Sequence, residues 1–235
     1  MLIGPQNLTL HVNHVRSRIR SAALAAGRDP AAVTLVAVTK AKTAESARLA
    51  ATAGVTDFGE NYLQEALGKM ALLADLPLQW HFIGSIQSNK TRAIAERFDW
   101  VHSVDRLNVA KRLSEQRPFH APPLNVCIQV ALVPEPTKGG VSPDALPELA
   151  AAVAELPRVR LRGLMCVPPP QPTPEAERAV FARLRVALED LNADGLKLDT
   201  LSMGMSGDFE SAIAEGATLV RVGTALFGNR RVPVG

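Results

Sequence analysis

The chain predicts an α/β fold, a single (β/α)8 or TIM barrel, and three observations carry it. Eight short runs rich in β-branched and apolar residues recur along the 235 residues, separated by seven helical patterns. Most of these runs are nearly continuous apolar stretches, as strands covered on both faces are. The first is followed by Thr39-Lys-Ala-Lys-Thr43, not by the glycine-rich turn that the alternative, a doubly wound open sheet, wants there.

In chain order, Leu8, Val12, Val15 and Ile19 recur at helical spacing between Arg16, Arg18 and Arg20, which predicts a helix from Asn7 to a stop at Gly27. Strands are expected at 34–39, 57–59, 80–83, 100–103, 124–130, 161–166, 200–203 and 219–222. The helical patterns between them cover 44–53, 62–73, 90–98, 107–116, 143–156, 174–191 and 209–215. Ser142-Pro143, Thr173-Pro174 and Ser206-Gly-Asp208 supply cap chemistry, a hydroxyl for an orphan N–H and an acid for the dipole. The leading helix is expected to fill the place left after strand eight. No linker divides the chain, so residues 1–235 form one domain, and the run Val167-Pro-Pro-Pro-Gln-Pro-Thr-Pro174 is a stiff loop at the carboxyl rim.

Composition narrows the function. The apolar share of 47% fills a core, and a net charge of +3 with 4% aromatics provides no footprint or stacking platform for nucleic acid. Cys127 and Cys166, each in an apolar run, are expected as buried thiols, and the histidines show no metal-ligand spacing. No leader-like stretch and no apolar window long enough for a membrane span is found, so a cytoplasmic protein without membrane attachment is expected.

Chemistry gathers at the carboxyl ends of the strands, where such barrels bind ligands. Lys40 closes the first strand, and an amine held there, partly desolvated, can attack a carbonyl to form a Schiff base. Asn61 follows strand two, His81 lies on strand three, and Lys138 in the loop after strand five. Ser202, Met205 and Ser206 belong to strand seven and its loop, and Arg221, Gly223 and Thr224 to strand eight and the short segment it opens. Glycines and helix-start N–H groups on these last two strands suit a phosphate. A Schiff-base lysine facing a phosphate cradle meets the needs of pyridoxal 5′-phosphate, and equally those of a sugar-phosphate aldolase. His81 is expected either to poise a proton at the ligand or to be packed in the core.

Seven blocks separate the two. Val38-Thr-Lys40, Asp57-Phe-Gly-Glu-Asn-Tyr-Leu-Gln-Glu65, Trp80-His-Phe-Ile-Gly-Ser-Ile-Gln-Ser-Asn-Lys90, Val101-His-Ser-Val104, Gly163-Leu-Met165, Leu201-Ser-Met-Gly-Met-Ser206 and Val220-Arg-Val-Gly-Thr-Ala-Leu-Phe-Gly228 stand in order along the chain. Together they resemble the pyridoxal phosphate homeostasis protein family, whose barrel is similar to the N-terminal domain of alanine racemase (fold type III). The resemblance implies covalent cofactor attachment at Lys40, phosphate binding by Ser206, Gly223 and Thr224, Arg221 against the pyridine nitrogen, Asn61 near the ring, and lesser roles for His81, Lys138, Ser202 and Met205. Pro136, in the loop before Lys138, departs from the pattern. The resemblance also implies a cofactor-holding protein and not an enzyme, with apo forms of cofactor-dependent enzymes as partners and weak racemase-like activity as the alternative. A monomer is expected, because alanine racemase dimerises largely through parts that this sequence lacks.

Overall fold

The computed structural model describes residues 5–133 and 139–228. All eight expected strands form: Thr34–Val38 (β1), Asp57–Glu60 (β2), Gln79–Phe82 (β3), Trp100–Val104 (β4), Leu124–Gln129 (β5), Val159–Met165 (β6), Thr200–Ser202 (β7) and Leu219–Val222 (β8). They pair in sequence order, each parallel to the next, and β8 closes onto β1 with Val36 opposite Arg221. The expected barrel is the observed one.

Around the strands lie Pro5–Ala25 (α1), Ala44–Thr52 (α2), Leu63–Leu72 (α3), Thr91–Arg97 (α4), Leu107–Gln116 (α5), Leu146–Ala154 (α6), Pro174–Ala193 (α7), Phe209–Ala214 (α8) and Thr224–Phe227 (α9). Thr173 caps α7 as its sequence promised, accepting from the Ala176 N–H, and Ser142 accepts from Ala145 at the 3-10 turn before α6. The leading helix does complete the ring, packing on α2, α8 and α9. Its apolar stripe is buried in the same core as Phe58, Phe98, Phe181 and Phe209. Burying Leu8, Val12, Val15 and Ile19 contributes about 1.5–3 kcal/mol apiece before the cost of ordering them. On α7, Arg178 and Arg185 both pair with Glu215.

Cys127 and Cys166 are free and buried, as expected, and burial pushes each thiol up to about 12. Met203 is a core residue. Among the described residues no helix is long and apolar enough to cross a membrane.

Candidate functional site

A cleft of about 350 Å³ opens at the carboxyl ends of the strands. Lys40, Asn61, Met205, Ser206, Arg221, Gly223 and Thr224 line it, with Val38, Ile83 and Val167 as apolar walls. Strands one and eight are neighbours only because the barrel closes, so lining residues as far apart as Val38 and Thr224, 186 positions in the sequence, share one cleft.

Lys40 sits on a backbone that is pinned on both sides. Ahead of it, the Thr39 N–H extends the sheet by donating to the Gly59 carbonyl at 3.0 Å. The Thr39 carbonyl and hydroxyl are then held by a buried cluster. Lys69 Nζ donates to that carbonyl and reaches Glu60 Oε1 and Glu65 Oε1, each at 2.6 Å, while Thr39 Oγ1 donates to Glu60. Behind Lys40, Ala41 adopts a left-handed conformation (φ 59°) that costs a residue with a Cβ about 1 kcal/mol. Its N–H is caught by Glu65 at 2.6 Å. Burial raises the Glu60 carboxyl above its ordinary range, against the opposing pull of Lys69 and Thr39. Lys42 turns away from this cluster and donates to the carbonyls of Phe227 and Gly228, tying the β1 loop to α9.

Asn61, directly after β2, brings a buried side-chain oxygen with no partner among the described residues. Its backbone is approached so closely by the end of β3 that a Cβ on Gly84 would lie 2.1 Å from the Asn61 carbonyl, so only glycine fits there.

Ser206 corrects an expectation. It does not cap α8; that helix follows Asp208, whose carboxylate instead accepts from the Met205 N–H at 2.6 Å. Ser206 Oγ accepts from the N–H groups of Gly223 at 3.2 Å and Ala225 at 3.3 Å, stitching the loop after β7 to the start of α9. Gly204 makes the preceding bend at φ 91°, where a Cβ would stand 2.7 Å from that of Ala212. The hydroxyls of Ser206 and Thr224 and the opening turn of α9 therefore form one small polar wall of the cleft that Lys40 also lines.

Arg221 is buried on β8. It donates through Nη1 to Ser202 Oγ at 2.6 Å and through Nη2 to the Cys166 carbonyl at 2.8 Å. Burial lowers its pKa, yet a guanidinium remains a cation and a donor.

Two expected contacts are not made. Ser202 reaches the cleft only through Arg221, and His81 lies deeper still, bonded to His102 and Asp57, because the ring points into the barrel where the strand pleat sends it. Of the two expectations for His81, the packed core residue is the one observed: it is fully buried and both ring nitrogens have partners. Lys138 and Pro136 lie outside the described residues. Lys69 and Glu65 were not anticipated from sequence: four apart on a helix, they read as an ordinary exposed pair. Among the described residues no cluster suited to a metal ion occurs.

A closed barrel with an amine at the end of the first strand and polar groups on the last two defines a class of barrel with its ligand site at the carboxyl rim. The family model of the alanine racemase N-terminal domain matches residues 10–231. A pyridoxal phosphate homeostasis protein of Pseudomonas aeruginosa is 64% identical over 220 residues, 94% of each chain, and that of Escherichia coli K12 is 50% identical over 92% of this chain and 94% of its own. The structure of PipY from Synechococcus elongatus PCC7942 with PLP bound superposes with a TM-score of 0.83 at 39% identity, covering 94% of this chain and all of the other. Alanine racemase of Corynebacterium glutamicum shares the fold at TM-score 0.66 and 21% identity, with 63% of its chain covered. The chain belongs to the pyridoxal phosphate homeostasis proteins, within the alanine racemase N-terminal domain family.

Proposed function

We propose that this protein binds pyridoxal 5′-phosphate as a Schiff base on Lys40, and that it holds and supplies the cofactor without significant turnover of its own. The observation that carries the reading is the cleft itself, which the amine of Lys40 lines together with Ser206, Gly223 and Thr224. The residues fit the group. A nucleophilic amine meets an aldehyde, donors meet a phosphate, and the unpartnered Asn61 oxygen offers an acceptor to a ligand hydrogen. When bound, the cofactor supplies an electron-withdrawing ring. Arg221, which can only donate, leaves the ring nitrogen unprotonated and so keeps that withdrawal weak.

The case against an enzyme rests on what lines the cleft. Racemisation needs two acid/base groups on opposite faces of the substrate. Among the described residues that line it there is no Asp, Glu, His, Cys or Tyr to face Lys40. Tyr62 is exposed and is not a lining residue. Apo forms of cofactor-dependent enzymes are the proposed recipients, and the protein is proposed to act as a cytoplasmic monomer.

The test has two arms. Borohydride reduction of the loaded protein followed by peptide mapping should place the adduct on Lys40; an adduct on another lysine with Lys40 intact refutes the assignment. Loaded protein should reactivate an apo-aminotransferase and leave L- and D-amino acids unchanged. Turnover of any amino acid near ~1–10³ s⁻¹, without reactivation, reverses the reading in favour of a racemase.

A further inference from the structure

Barrels of this kind fill their interior with layers of Val, Ile and Leu. Here His81 on β3, His102 on β4, Ser202 on β7 and Arg221 on β8 are all buried and meet side chain to side chain. Asp57 Oδ1 lies 3.0 Å from His81 Nε2, and His81 Nδ1 lies 2.9 Å from His102 Nε2. His102 Nδ1 is 2.7 Å from Ser202 Oγ, which accepts from Arg221 at 2.6 Å. Because β4 and β7 are not neighbours in the sheet, the His102–Ser202 bond crosses the barrel interior. The chain runs from Asp57, at the start of β2 and partly open to water, up to the floor of the cleft.

The two ends determine where every hydrogen lies. A guanidinium only donates and an ionised carboxylate only accepts. Burial works against the ionised form of Asp57, but hydrogen bonds from His81 and Thr56 outweigh it and hold the carboxyl below its ordinary range. Ser202, having accepted from Arg221, passes its own hydrogen to His102 Nδ1. His102 then carries its hydrogen on Nε2 and gives it to His81 Nδ1, and His81 gives its Nε2–H to Asp57. Burial, and then the nearby His81 and Arg221, hold His102 well below the usual imidazole range, which is the neutral form this order needs. The reverse tautomer at His102 leaves the Ser202 hydrogen without its acceptor. It also either faces a bare His81 nitrogen against the Asp57 carboxylate or makes His81 a cation.

Such a chain does not conduct protons, because Arg221 cannot release one. It can only orient. We propose that Asp57, His81 and His102 are positioning residues for Arg221: a one-way series of hydrogen bonds, delivered through Ser202, fixes the guanidinium at the floor of the cleft. The role at the cofactor rests on the reading of Arg221 given above; the order of the hydrogens does not.

Histidine side-chain ¹⁵N NMR on the cofactor-free protein tests the order without any substitution. Both His81 and His102 should carry a hydrogen on Nε2 and none on Nδ1; an Nδ1–H at either ring overturns the proposal. The coupling is read from the affinity for pyridoxal 5′-phosphate and from the pH midpoint of its visible band. Ser202→Ala and Asp57→Ala should shift that midpoint and weaken binding by about threefold to tenfold, the loss of one modest hydrogen bond. Asp57→Asn, which keeps an acceptor for His81, should restore the wild-type His102 tautomer and most of the affinity. Unchanged tautomers and an unchanged midpoint in Asp57→Ala refute the coupling. Wild-type protein that shows the expected tautomers yet binds no pyridoxal 5′-phosphate overturns the cofactor reading and, with it, the role of the chain at the ring.

Discussion

Replacing Lys69 by Met tests the cluster that pins Lys40. The ammonium has three partners: Glu60, which is fully buried, Glu65, whose side chain is 29% exposed, and the Thr39 carbonyl. The Glu60 pair dominates, because removing one member of a buried pair leaves an uncompensated charge, at a cost of about 3–5 kcal/mol. The Glu65 pair adds no more than about 1 kcal/mol, since water screens it. Glu60 has one relief, which is to take up a proton. Its folded-state pKa is already raised, so its contribution to stability is present below the unfolded value and fades as pH rises through the folded one. The loss in Lys69→Met should therefore be larger at pH 8 than at pH 6, and Lys69→Met/Glu60→Gln should recover most of it. Urea unfolding followed by circular dichroism at the two pH values measures both. A loss below about 1 kcal/mol at pH 8, on the scale of a surface pair, would refute the claim that this cluster is buried and coupled. A full loss of stability with unchanged affinity for pyridoxal 5′-phosphate would show that the cluster holds the fold and not Lys40.

Three further outcomes are expected. Ser206→Ala frees two N–H groups and Thr224→Val removes a hydroxyl; bonds to a charged oxygen are worth about 1.5–3 kcal/mol, so each should weaken pyridoxal 5′-phosphate about tenfold or more. Pyridoxal without its phosphate should bind poorly and ignore both changes in a fluorescence titration, whereas equal binding of the two compounds sinks the cradle. Asp57 and His102 both have folded-state pKa values below their ordinary ones, so each contributes stability that is present above its unfolded pKa and lost as pH falls through its folded one. Melting temperature should accordingly drop below pH about 6.5 and less steeply in His102→Gln, and equal slopes would contradict the shift at His102. Cys127 and Cys166, with thiols near 12, should resist a disulfide exchange reagent at pH 8 until urea is added, and rapid reaction of native protein would contradict their burial.

The strands were legible because β-branched runs covered on both faces carry their own signature, and because cap residues such as Thr173 act locally. Lys40, Ser206, Arg221 and Gly223 were legible as a group once each was placed at the end of a strand, since barrel closure follows from the count. The internal chain was not. His81 and His102 stand 21 residues apart on separate strands, with no spacing that announces a pair, and Ser202 is another 100 residues on. Only the pleat, which turns each of them inward, makes them meet. Lys69 was hidden for a similar reason: a lysine four residues after a glutamate looks solvated until the buried Glu60 is placed beneath it.

Closure has a kinetic side. The seam between β1 and β8 joins the two ends of the chain, and His11 meets the Leu226 carbonyl across 215 positions. Closing a loop of that length costs about 2 kcal/mol more than closing one of ~20 residues, so the seam is the natural last step of folding. During synthesis α1 can meet α2 early, but its contacts with α8 and α9 must wait until those helices have left the ribosome. The cleft straddles this same seam, with Lys40 on one lip and Arg221, Gly223 and Thr224 on the other. A ligand held by both lips acts as a clasp on the latest-forming contact, and its arrival marks a chain that has finished folding.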